Sequence, residues 1–204
     1  MATPPPSTSS PPSPGPSGPA WIACFPTSAS VDDCVPPFRD DLTAFISALR
    51  AAGADVHVAA TLRPRQRAWL MHWCWAIAKA GADPRAVPPL DGVAITWAHV
   101  DASGGYDAIA SMLAAQAMVQ AYGMQNLSVA PALESNHIAG TAVDMAISWN
   151  GVLNIVDRHG KAVSIASLPR TGMNADLKVV GASYGVLKFV GGASDIPHWS
   201  IDGH

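Results

Sequence analysis

The sequence predicts an α+β fold in one small domain, and three observations predict it. At 204 residues, 49% of them hydrophobic, the chain is long enough for one sizeable core and short for two large ones. Its first half repeats apolar residues at helical spacing, from Phe38 to Leu49 and from Trp69 to Ile77. Beyond a further helix expected to end near Tyr122, the remainder is dominated by short alternating runs with one helix among them, and helices first with strands later is an α+β order.

Residues 1–20 hold eight prolines and almost nothing apolar, so burial does not offset the entropy of ordering them. They are expected to be an extended linker or tail, tethering a domain over 21–204 to an upstream module or delivery partner. The segment has neither a basic n-region nor an apolar h-region, so it does not read as a signal peptide. Cys24 and Cys34 flank a short loop, a spacing compatible with one disulfide in an oxidising compartment, and Cys74 lies in an apolar helical run and reads as core.

After Pro36-Pro37, the spacing of Phe38, Leu42, Phe45, Ile46 and Leu49 predicts an amphipathic helix stopped by Gly53. Val56 and Val58 alternate in a short strand. Beyond Arg63-Pro64 a long helix runs to Gly81, apolar on more than one side and therefore largely buried; Trp69, Trp73 and Trp75 read as core packing or a groove wall. A strand near Val93 to Trp97, a helix from about Tyr106 to Tyr122, a helix near Asn174 to Tyr184 and a strand over Val186 to Val190 complete the series.

Charge and the length of the apolar runs exclude two classes of function. Charged residues make up 13% of the chain, against about 25% in an average soluble protein. With 12 Lys and Arg against 15 Asp and Glu and no basic cluster, the chain lacks the electrostatic footprint of a nucleic-acid binder. No stretch of about 18 uninterrupted apolar residues occurs, so no membrane span is expected.

The stretch Ser135-Asn-His137-Ile-Ala-Gly140-Thr-Ala142-Val-Asp144-Met is read as a loop running into a strand. Strand alternation sends Val143, Met145 and Ile147 one way and Asp144 the other, and Gly140 lets the chain turn so that His137 and Asp144 converge. A second imidazole comes from Asp195-Ile-Pro197-His198-Trp-Ser. Pro197 disfavours helix there, and in an extended chain Trp199 and Ile201 share a face while His198 and Ser200 take the other. Two imidazoles and one carboxylate suit Zn²⁺ and leave a fourth tetrahedral position for water, as in catalytic zinc sites. Asp195 is then at hand as a general base.

SNHIAGTAVD fits the SxHxxGxAxD motif, and DIPHW the [ED]xxHW-type motif, of the M15 zinc peptidases, the D-alanyl-D-alanine carboxypeptidase/VanY-like enzymes, which the chain resembles over roughly residues 36–202. The resemblance implies a small α+β domain with a mainly antiparallel sheet and flanking helices, of the DD-peptidase/hedgehog-like kind. It implies zinc on His137, Asp144 and His198, catalysis by Asp195, and Arg63 and Ser135 at the substrate, a stem peptide of peptidoglycan. Around Arg63 the family often has Tyr-Arg-Ser, where this chain has Leu62-Arg63-Pro64. An Asp rather than a Glu as base resembles the L-alanyl-D-glutamate endopeptidase branch more than the carboxypeptidases. The expected place of action is the periplasm or cell wall, reached by lysis, a phage particle or a secretion machine.

Each residue also has a structural reading when taken alone. Asp144 would be a half-exposed strand residue, Asp195 a loop cap, Arg63 a residue preceding a helix, and His57, His72, His99, His159 and His204 structural or surface groups. A catalytically silent wall-binding module would keep the metal set but has no use for Asp195. Gly181-Ala-Ser183-Tyr-Gly185 matches the G-x-S-x-G pattern of serine hydrolases, but a strand is expected after it rather than before it, and too little chain follows to supply Asp and His.

Overall fold

The computed structural model describes residues 15–204. Residues 1–14 of the expected linker lie outside the described residues, whereas 15–20 carry structure: Gly15 and Pro16 pair with Ile95 and Thr96, and a short 3-10 turn starts at Pro19. In chain order the elements are β1 (Gly15–Pro16), α1 (Phe38–Ala51), β2 (Asp55–Ala60), α2 (Arg65–Ala80), β3 (Ile95–Thr96), β4 (His99–Val100), β5 (Tyr106–Asp107), α3 (Ala108–Ala121), α4 (Asn136–Ala139), β6 (Ala142–Ser148), β7 (Leu153–Val156), β8 (Ala162–Ile165), α5 (Ala175–Ser183), β9 (Leu187–Lys188) and β10 (His198–Ser200). The class is α+β with mainly antiparallel pairing, as expected.

The chain's contacts gather in two compact units. Among the described residues, the first holds those from Gly15 to Pro26 together with Pro64–Leu133. Its core joins Trp69, Leu70, Cys74 and Ile77 of α2 to Ala115, Met118 and Val119 of α3, with Trp21, Cys24 and Trp97. Trp69 meets Trp97 at a tilted 5.8 Å, while Trp73 and Trp75 are only partly buried against this cluster. The α2 helix ends where Gly81 takes the left-handed conformation at φ 73°. The strand expected over Val93 to Trp97 is only two residues long, because it pairs with β1 alone, and α3 starts two residues later than expected, where the Asp107 carboxylate caps it by accepting from the Ala110 N–H (2.9 Å).

The second unit, Thr27–Arg63 with Glu134–His204, carries the motif residues. Its four-stranded sheet has the order β2-β6-β10-β9, antiparallel throughout, and β7 and β8 form a separate hairpin. Helix α1 buries Phe38, Leu42, Phe45, Ile46 and Leu49, one stripe at helical spacing, in a core shared with Val143, Met145 and Ile147 of β6 and Trp199 of β10. Asn174 is fully buried and caps α5 through the N–H groups of Asp176 (2.9 Å) and Leu177 (3.1 Å), which fixes the helix start the sequence predicts.

Cys24, Cys34 and Cys74 are free and buried, so no Cys24–Cys34 disulfide forms. Cys24 belongs to the core of the first unit and Cys34 to that of the second, and each thiol faces a backbone carbonyl, Ala20 and Ala142 respectively.

Candidate metal centre

The His137 segment is a single helical turn, α4, rather than the loop expected from sequence. Ser135 caps it, its Oγ accepting from the Ile138 N–H (3.3 Å), and Gly140 ends it at φ 73°. A Cβ on Gly140 would lie 3.2 Å from Val35 Cγ1, so conformation and space both call for glycine. Chain reversal at Gly140 leads directly into β6, where Val143, Met145 and Ile147 face the core and Asp144 the opposite side.

Strand register assembles the rest. On β10, His198 lies opposite Asp144, and Trp199 lies opposite Val143, so the imidazole and carboxylate are cross-strand neighbours on one face. On the other flank β2 shifts register between Val58 and Ala60, which sets Ala60 opposite Asp144 and carries the next residue, Thr61, to His137. Thr61 is itself fixed, its N–H on the Ser28 carbonyl (2.7 Å) and its Oγ1–H on the Ser30 carbonyl (2.8 Å). Ile201 does not share the buried face of Trp199 as expected; β10 stops at Ser200 and Ile201 is exposed, the chain turning so that His204 comes back to His198.

Hydrogen bonds to carbonyls fix both imidazole tautomers, since a carbonyl only accepts. His137 Nδ1–H donates to the Thr61 carbonyl (2.6 Å), and His198 Nε2–H donates to the His204 carbonyl (3.0 Å). The remaining ring nitrogens, His137 Nε2 and His198 Nδ1, each lie 3.2 Å from Asp144 Oδ1. Both side chains are 8% exposed. Three electron-pair donors thus meet in a buried place, an arrangement that repels itself unless protons or a cation sit among them. Burial by itself would raise the Asp144 carboxyl, but hydrogen bonds and charge from His137 and His198 outweigh it and hold the group well below the usual carboxylate range. Burial disfavours the His198 imidazolium, yet Asp144 and the His204 carbonyl raise it above its ordinary value.

The donor set fits a metal. The candidate ligand atoms of His137, Asp144 and His198 all lie within 4.8 Å of one another. Ligands at about 2.0–2.1 Å from a tetrahedral ion are about 3.3 Å apart, close to the contacts with Asp144 Oδ1. The backbone carbonyls on the far nitrogens are the outer partners that orient metal-ligating histidines. This His-Asp-His group can hold a metal ion.

The group opens into a cleft of about 690 Å³ whose wall includes Arg63, Ser135 and Asp195. Asp195 ends a short 3-10 turn, Gly192–Asp195, and its Oδ2 lies 4.0 Å from His198 Nδ1 with the side chain about half exposed. Arg63 enters from the segment after β2, and its N–H donates to the His137 carbonyl (3.0 Å). Ser135 lines the cleft while serving as the α4 cap. Sequence reading missed Glu134, Phe189 and His204, which also line it. Glu134 adjoins the motif, and Phe189 stands edge-on to the His198 ring at 5.7 Å, but no local pattern marks His204, which reads as a surface histidine.

Ser183 lies in the last turn of α5, its Oγ–H on the Val180 carbonyl (2.6 Å), with β9 following rather than preceding it. The glycines of its pattern are packing features. A Cβ on Gly181 would fall 2.7 Å from Trp199 Cζ3, and Gly185 has φ 79° after the helix end.

No family model matches this chain, and no curated protein matches it.

Proposed function

We propose that the chain is a zinc-dependent peptidoglycan peptidase of the M15 kind, hydrolysing a stem-peptide amide, with the bond between L-Ala and D-Glu as its target. The observation that carries this reading is the convergence of His137 Nε2, His198 Nδ1 and Asp144 Oδ1 beside an accessible Asp195 carboxylate in one cleft. His137, Asp144 and His198 would hold the zinc, which supplies Lewis acidity for polarising a carbonyl and for making water acidic near neutral pH.

The chain's own residues do the remaining work. Asp195, half exposed and 4.0 Å from the His198 ring, takes a proton from the attacking water and returns it to the departing amine. Arg63, which lines the cleft, receives a substrate carboxylate or the developing oxyanion. The buried ring N–H bonds to Thr61 and His204 keep the imidazoles in the tautomers that leave the inner nitrogens free. Such an enzyme acts in the periplasm or cell wall.

Digestion of purified muropeptides followed by mass spectrometry tests the reading. Products with a new N-terminal D-Glu support it. Release of terminal D-Ala alone replaces the endopeptidase with a carboxypeptidase of the same family, and intact muropeptides under zinc-replete conditions leave a wall-binding module in its place.

A further inference from the structure

Lys188, the second residue of β9, is 7% exposed. Its Nζ lies 2.7 Å from the His198 carbonyl and 3.3 Å from the Asp195 carbonyl, and it sits over the Trp199 ring at 5.4 Å. Burying an ammonium is costly unless strong partners compensate, and methionine would fill a similar volume without that cost. Its two hydrogen-bond acceptors are the first and last carbonyls of Asp195-Ile196-Pro197-His198, the turn that joins the proposed base to a proposed ligand.

The two ends of that turn are held differently. At its close, the sheet fixes Pro197 and His198: the Met145 N–H donates to the Pro197 carbonyl (2.9 Å), and the Phe189 N–H to the His198 carbonyl (3.2 Å). At its start, the Asp195 carbonyl takes the Lys188 ammonium. Losing the lysine therefore frees the base far more than the ligand.

We infer that Lys188 is a positioning residue that clamps Asp195 at a fixed distance from the metal group, an inference resting on the reading of Asp195 as the base. It touches the two backbone carbonyls rather than the cleft, so its effect on turnover passes through Asp195.

A double-mutant cycle with Asp195→Asn tests it, with Lys188→Met as the first variant and Lys188→Gln read in the same cycle if the methionine protein does not fold. Lys188→Met is expected to keep the bound zinc and KM while kcat falls roughly 10- to 100-fold, the scale of a small misplacement of a catalytic group. In the Asp195→Asn background the same change is expected to cost little more. Equal loss in both backgrounds, or a wild-type kcat, overturns the inference. Amide exchange in the metal-free protein gives an arm independent of turnover. Faster exchange confined to residues 192–196 supports the clamp, and unchanged exchange there overturns it. If the wild-type protein hydrolyses no muropeptide, the functional reading fails by itself, and the exchange arm still decides whether the clamp exists.

Discussion

His198 stands directly opposite Asp144 across the β6–β10 ladder, with its Nδ1 3.2 Å from Asp144 Oδ1. Two residues 54 positions apart are thereby held by strand pairing, and His137 meets the same oxygen at 3.2 Å from the turn that precedes β6. Two of the three candidate ligands thus sit on paired strands, which are stiffer than loops, as a preorganised metal site needs.

The first expectation is that the purified protein carries about one zinc per chain. Chelation should abolish hydrolysis and lower the unfolding temperature, and added Zn²⁺ should restore both. Binding to the folded state alone stabilises it by about 4 kcal/mol at a thousand-fold excess over Kd. Elemental analysis beside thermal melts checks this, and full activity in a verified metal-free sample would remove zinc from the mechanism.

Asp195 and His198 should fail in different ways. Asp195→Asn leaves the three ligands in place, so zinc stays and kcat falls by roughly 10²- to 10⁴-fold, the range for losing a general acid or base. His198→Ala should lose zinc and turnover together. Zinc content and hydrolysis rate measured on both variants make the comparison, and an Asp195→Asn enzyme with the wild-type rate would rule that carboxylate out as base.

Gly140→Ala should cost roughly 1–3 kcal/mol of stability, because the backbone is left-handed there and the new methyl meets Val35 at 3.2 Å. The strain falls between His137 and Asp144, so zinc affinity should drop as well. Denaturant unfolding and a metal titration read the two effects, and a variant unchanged in both would show that the turn tolerates a side chain.

Within the Gly181–Gly185 pattern, serine should be dispensable and glycine should not. Ser183→Ala is expected to hydrolyse muropeptides at the wild-type rate, because its hydroxyl is spent on the Val180 carbonyl. Gly181→Ala should lose roughly 1–3 kcal/mol by overpacking against Trp199 and the Val186 carbonyl. Activity assays and urea melts test the pair; loss of turnover in Ser183→Ala with an intact fold would revive the serine reading.

All three thiols should stay silent to a thiol reagent in the native protein and react after unfolding without reductant. Burial pushes the Cys34 thiol up to about 11 and Cys74 to about 12, so the reactive thiolate is scarce at neutral pH. Fewer than three thiols in the unfolded chain would reinstate a disulfide.

Local sequence assigns several of this protein's parts, though not the α4 turn, which reads as a loop. Helical spacing marks α1, α5 falls within the helix expected near Asn174 to Tyr184, and strand alternation predicts that Asp144 faces away from Val143 and Met145, as it does. These follow from the chain's own 3.6- and 2-residue periods, which are written into neighbouring residues. What periodicity lacks is the identity of a strand's neighbour. That Asp144 lies opposite His198, that the bulge in β2 brings Thr61 to His137, and that Lys188 reaches both ends of the Asp195–His198 turn were decided by the tertiary structure. The partners are separated by up to 76 residues, and their meeting is set by how the core packs and which backbone groups must be satisfied, terms that no local pattern contains. For the same reason His204, read from the sequence as a surface residue and exposed in the fold, is not marked there as part of the cleft wall that it lines.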